Sequence, residues 1–212
     1  KKRESDLPIS GKVGSNMQLA EKFVDDFEIS SIEIIANAKG ISDFSIGHPK
    51  NSTSLSQSFA NSCVKTIDRQ RTMIISTGKD ASNETLKVSL NSLWNCYSLV
   101  KNQGFVVLLA ECLNGIGSDA FQQFIDGTLT IERVKNATKY VDGMENLLYL
   151  SEIQKKFQVG LVSVLPEIYL KKLGIIPIGG VKKSMDYILK NLGQRQKVEV
   201  VNDGARVLLR EN

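Results

Sequence analysis

One histidine, His48, serves the whole 212-residue sequence. That count excludes a Ser-His-Asp triad with spare candidates, a histidine pair and a histidine-rich metal site. Cysteine is nearly as sparse. Cys63, Cys96 and Cys112 are odd in number, widely spaced and form no CxxC pair, so neither a disulfide framework nor a zinc site is expected. Each reads as a small buried hydrophobe in a reducing cytoplasm, and Cys112, at a strand end, is the one thiol worth testing for reactivity. No run approaches the roughly 18 consecutive apolar residues of a membrane span, and the sequence shows no signal-peptide pattern. A strong excess of either charge is missing as well. The net charge is +4 and the basic residues are scattered, so neither nucleic acid nor membrane is an expected partner. Lys1-Lys2-Arg3, the densest basic cluster, reads as a solvated tail. With Lys1 rather than methionine in first place, the expectation is a fragment or processed product.

What is present is organised around the stretch from Arg71 to Gly117. Ile74 and Ile75 sit in a short apolar run that ends at Gly78, and Phe105 to Ala110 is six residues without a polar side chain. Continuous apolar runs of this length suit strands buried on both faces of a parallel sheet. The segment between them is long enough for a crossover helix. Further strands are expected at 159–165, 175–178 and 197–201, and a last strand or extended tail at 205–209. Helices are expected at 83–101, 118–125, 130–137, 144–157, in the short segment after Pro166, and at 181–192. That alternation predicts an α/β fold, a three-layer sandwich with a mostly parallel sheet. The first part of the chain reads differently, as a smaller α+β segment. It has a helix from Asn16 through Phe27, a hairpin of 31–37 and 41–46 around Lys39-Gly40, and a helix entered at Ser52–Ser58 and running to Arg69. The organisation expected is an incomplete N-terminal segment at 1–69, an α/β domain at 70–202, and a tail or return strand at 203–212.

In open parallel sheets ligands bind beyond the carboxyl ends of the strands, which directs attention to two loops. Thr77-Gly78-Lys79-Asp80 lies between a strand and a helix. It is either a plain βα turn or an anion-holding loop, with backbone amides and Lys79 facing the ligand; the glycine spacing of a P-loop or dinucleotide fold is missing. Glu111 and Asn114 sit at the neighbouring strand end. Glu111 either orients a hydroxyl or moves a proton, or accepts hydrogen bonds from its own loop. Gly179-Gly180 before a helix is a tight linker or a close approach to phosphate.

Several of these segments together resemble the nickel-dependent lactate racemase family, in its C-terminal half. They are Ile75-Ser76-Thr77-Gly78, Val100-Lys101-Asn102-Gln103-Gly104, Ala110-Glu111-Cys112-Leu113-Asn114-Gly115-Ile116-Gly117, Val162-Ser163 and Gly47-His48-Pro49, in the same order. The resemblance runs from about Gly14 to Val201. It implies a two-domain α/β enzyme that uses a nickel pincer nucleotide to move a hydride off and back onto the α-carbon of a 2-hydroxy acid. The acid/base histidines and the cofactor-holding lysine of that family lie in its first half, in motifs absent here. The family also places a Tyr-Gln-x-x-Lys helix start against substrate; aligned on Val100-Lys101, those positions here are Lys87, Val88 and Asn91, and the family's later tryptophan falls near Met144 or Glu145.

The expectation is therefore the C-terminal half of a 2-hydroxy acid racemase or epimerase, not catalytically complete alone. Its partner is a missing N-terminal half or second subunit, its substrate a small carboxylate, and it carries no cofactor within this chain. The candidate ligand-binding residues are Thr77, Gly78, Lys79, Asp80, Lys87, Asn91, Glu111 and Asn114. Two other readings stay open: a non-catalytic small-ligand or regulatory module, and an unrelated α/β enzyme using Glu111 and Lys79.

Overall fold

A computed structural model describes residues 22–37, 40–49, 58–59, 61 and 64–211. The chain divides into two compact units, Pro8–Lys65 and Thr66–Asn212 together with Lys1–Leu7. The smaller unit contains the antiparallel hairpin of β1 (Ser31–Asn37) and β2 (Gly40–Gly47). Isoleucine-rich strands around a glycine turn form it as the sequence predicts. The predicted helix from Asn16 lies mostly outside the described residues, with only 22–24 helical. The one predicted at 52–69 is overturned at its end. Residues 58, 59 and 61 are helical, but Val64–Ile67 is strand β3, where the β-branched Val64, Thr66 and Ile67 favour extended backbone. Cys63 and the serine-rich 52–57 lie outside the described residues.

The larger unit holds a five-stranded, all-parallel sheet of β4 (Gln70–Ser76), β5 (Val100–Leu109), β6 (Gln158–Val162), β7 (Ile176–Pro177) and β8 (Val198–Val201), in the order β7-β6-β5-β4-β8. Its first residues close β3, which pairs with β9 (Leu208–Glu211) in a two-stranded sheet. Ile75 stands in register with Leu108 on one side and Val201 on the other, and Leu108 with Leu161. Successive residues of β4 and β5 point to opposite faces, and both faces are buried, which is why their apolar runs do not alternate.

The two faces are covered unequally. One packs Met73, Ile75, Val106 and Leu161 against α1 (Leu86–Trp94), α2 (Asp119–Ile125), α3 (Ile131–Lys135), α4 (Met144–Gln154) and α5 (Glu167–Lys172). The other packs Ile74, Phe105 and Val107 against Ile178 and Ile188, the latter from α6 (Val181–Leu192). The three layers expected are present, with α6 supplying the third alone. Among the described residues, no helix is long and apolar enough to cross a membrane.

One boundary differs from expectation in a way that matters for the site. The helix predicted to reach Lys101 ends at Trp94; a 3-10 turn at Tyr97–Leu99 follows, and β5 begins at Val100. Leu86, Leu90, Leu93, Trp94, Tyr97 and Val100 recur at the helical spacing behind that expectation, and Tyr97 and Val100 are buried, as is Leu99. Tertiary pairing decides their conformation. Val100 pairs with Gln70, the register then slips before Thr72, and Gln103 takes a left-handed φ of 59° while its amide donates to the Lys156 carbonyl at 2.6 Å. The extra residues form a bulged strand entry.

Candidate functional site

The carboxyl ends of β4 and β5 are tied together by Asn83. Its Oδ1 accepts from the Glu111 amide at 2.7 Å and lies 3.1 Å from the Thr77 hydroxyl, while its carbonyl accepts from the Cys112 amide at 2.9 Å. Thr77 is fully buried and also donates its amide to Leu109. Asp80 then caps the 3-10 turn Ala81–Asn83, accepting from the Ser82 amide at 3.1 Å and the Ser82 hydroxyl at 2.6 Å. The Ser82 hydroxyl above all, then its amide, holds the Asp80 carboxyl below the usual carboxylate range.

A second strap crosses the same place. Gly204 donates to the Ser76 carbonyl at 2.6 Å, and Asn95 of the α1 C-cap donates to the Gly204 carbonyl at 3.0 Å. Arg206 bonds Asp203 at 3.0 Å and also bonds Asp80. Gly78 has φ +93°, in the left-handed region that favours glycine, and Asp203 Oδ1 stands 2.8 Å from where a Cβ would be. Asn83, Asp203, Gly204 and Arg206 were not singled out from the sequence. The Asn202-Asp203-Gly204 run is a strong turn signal that could have directed attention to the strap.

The eight candidate residues separate on this scaffold. Gly78 and Glu111 line one cleft of about 360 Å³, with Ser76, Ala110, Ser163 and Val181 around them. Lys79 and Asp80 are exposed on the neighbouring loop. Lys87 is engaged elsewhere: its ammonium meets Asp142 Oδ1 at 2.5 Å, an ion pair that raises its pKa. Asn91 is exposed on α1, and Asn114 bonds Glu84 through its amide at 2.8 Å and its side chain at 3.4 Å. The first amides of α1 do not face outward for an anion, because Leu86 and Lys87 donate to the Gly115 and Ile116 carbonyls, each at 3.0 Å. Cys112 is buried, its thiol pKa pushed up by that burial, and it sits 3.7 Å from the Ser89 hydroxyl. Thiolate chemistry is disfavoured there. Cys96 is pushed up to about 12 for the same reason.

The cleft stands where the strand order makes a site natural. The chains leaving β4, β5 and β6 turn to helices of the thicker layer, whereas the chain leaving β7 turns to α6 on the other face. Loops that part to opposite faces leave a crevice beyond the strand ends. On one side stands the start of α6, which has no side-chain cap at Gly180; its N-terminal dipole favours an anion. The exposed Glu111 lines the same cleft, together with Ser76 and Ser163. Such a lining can orient a small hydroxylated anion, with Glu111 accepting from its hydroxyl.

Fold and cleft together define a parallel α/β unit with a switch-point crevice. By structure the chain matches the lactate racemase apoprotein of Thermoanaerobacterium thermosaccharolyticum, with a TM-score of 0.73 and 15% identity, over 85% of this chain and 46% of that one. It also matches a Thermotoga maritima protein, with a TM-score of 0.58 and 10% identity, over 92% of this chain and 52% of that one. The chain thus spans about half the length of the solved structures it matches. No protein-family model and no curated protein matches it by sequence. The resemblance drawn from the residues is borne out as a lactate-racemase-like fold.

The nickel pincer nucleotide implied by that resemblance does not fit the donor set described here. The cleft offers hydroxyls, a carboxylate and backbone groups, without imidazole or accessible thiolate. Among the described residues no cluster of three or more His, Cys, Asp or Glu side chains could hold a metal ion.

Proposed function

We propose that this chain is the substrate-side half of a lactate-racemase-like 2-hydroxy acid racemase or epimerase, acting in the cytoplasm with a nickel-cofactor-bearing polypeptide. The observation that carries the reading is the cleft at the ends of β4, β5 and β6, lined both by Glu111 and by Val181, the first residue of α6. A 2-hydroxy carboxylate presents complementary groups. Its carboxylate suits the α6 start and its hydroxyl suits Glu111. The hydride chemistry belongs to the partner. This half binds, orients and shields the substrate.

A second reading, a binding or regulatory module without chemistry, is favoured by Lys87. It occupies the aligned tyrosine position and its charge is engaged by Asp142, while Val88 and Asn91 stand at the other two positions of the family's helix start.

Calorimetry separates the readings, with lactate, 2-hydroxybutyrate, propionate and AMP titrated into the 212-residue chain. The racemase reading expects both hydroxy acids to bind, propionate to bind more weakly, and Glu111→Gln to remove the difference. Binding of AMP with no hydroxy acid binding supports the module. Full nickel occupancy of the reconstituted complex with no turnover on any 2-hydroxy acid overturns the enzymatic role.

A further inference from the structure

The hairpin of the smaller unit is built as if half of a layer pair. Ile32 is in register with Ile46, and Ile34 with Phe44. Directly opposed side chains stand together, and the two-residue step along each strand brings both pairs to one face. These four side chains are 66%, 67%, 56% and 62% exposed respectively. The opposite face carries the buried Ile35... flanked by Glu33, which accepts from the Ser45 hydroxyl at 3.4 Å. A two-stranded hairpin is marginal in water by itself, and a sheet with an apolar face is stable once a second layer covers it. Among the described residues of this unit, Ile35 is the one buried large hydrophobe.

We infer that the face formed by Ile32, Ile34, Phe44 and Ile46 is the docking surface for a polypeptide that supplies the rest of the lactate-racemase-like fold. This rests on the proposed function, which gives the chain such a partner. The larger unit is less than three quarters of the chain, so a match over 85% reaches into the smaller unit. The same match takes in only 46% of the racemase chain, and 52% of the Thermotoga maritima protein. The matched racemase fold is about twice as long as the part this chain covers, and the layer the hairpin needs comes from that remainder. A free second copy is a poorer occupant. The four side chains offer roughly 400 Å², about half of what each partner buries in a standard interface. Another layer of the same fold has further contacts to add.

The test places the photo-crosslinker p-benzoylphenylalanine at position 44 of the full chain, expressed in its own host, with exposed position 139 of the larger unit as control. Adducts are expected from 44 and not from 139, with peptides from a polypeptide that folds as the uncovered part of the racemase structure. Peptides from a second copy of this chain, peptides from an unrelated protein, or no adduct overturns the assignment. The double variant Ile34→Asp/Phe44→Asp is expected to weaken association with that polypeptide by about tenfold or more. Hydrogen exchange of its β1 and β2 amides should stay within about twofold of the parent, which shows the hairpin still folded. Undiminished association removes this face as the contact. Hydroxy acid binding to the isolated chain reads the Glu111 cleft alone, so failure of the docking surface and failure of the racemase reading give different results.

Discussion

The two units use the same residues to opposite effect. In the larger unit, Ile74, Ile75, Val107 and Leu108 disappear between layers that this chain itself provides. In the smaller unit, Ile32, Ile34 and Ile46 lie in equally regular strands and remain exposed. Strand propensity therefore accounts for both sheets, and burial distinguishes them. What separates a core from an exposed apolar face is whether a second layer covers it.

The contrast breaks most visibly at phenylalanine. Phe105 is buried against Ile178 and stacks on Tyr187 with ring centroids 4.9 Å apart. Phe105→Ala should cost about 3–5 kcal/mol, whereas Phe44→Ala in the isolated chain should cost about 0.5 kcal/mol or less. Urea denaturation followed through Trp94, the one tryptophan, reads Phe105→Ala in the larger unit, and hydrogen exchange of the β1 and β2 amides reads Phe44→Ala in the smaller one. Comparable losses would show the hairpin to be as well packed as the sheet and would end the distinction.

A smaller effect is expected at Asn83. Asn83→Ala removes one of two acceptors near the Thr77 hydroxyl and the acceptor of the Glu111 amide, a loss of about 0.5–1.5 kcal/mol for hydrogen bonds that solvent partly reaches. It also frees Glu111 from its fixed place, so under the proposed function lactate affinity should fall further than in Asn114→Ala, whose side chain donates to Glu84. Equal affinities in the two variants would remove Asn83 as the tie that holds the rim.

Much of this was legible in the sequence, for identifiable reasons. The apolar runs of β4 and β5 mark a doubly covered parallel sheet, and the bounds of α6 follow from Gly180 and Gly193 on either side of its periodic stripe. The pairing of the hairpin follows from its glycine turn. What escaped depends on distant partners. The start of β5 carries a helical stripe that sheet pairing overrides. Lys87 looks available until Asp142, 55 positions later, is seen beside it. The strap of Asp203 to Arg206 reads as a tail because nothing local says that Gly204 packs on Ile75 and Ser92. The candidate site was readable as two loops, while the wall from α6 required the crossover to be seen.

The smallest effect tests what a polar tie contributes in the better-packed unit. Lys87 and Asp142 keep 27% and 47% of their side chains exposed, so solvent screening limits the pair to about 0.5–1 kcal/mol. The ion pair raises the Lys87 pKa above its ordinary value. A raised lysine contributes stability fully below its unfolded pKa of about 10.4, and that contribution is lost as pH climbs through the folded value. The stability difference between the parent and Lys87→Met should therefore be flat from about pH 6 to 9 and shrink above about pH 10.5. A difference that instead widens in alkali would mean that the ammonium is not what Asp142 stabilises. Lys87 would then be open to the ligand role the sequence suggested, and the larger unit would owe its stability to apolar layers alone.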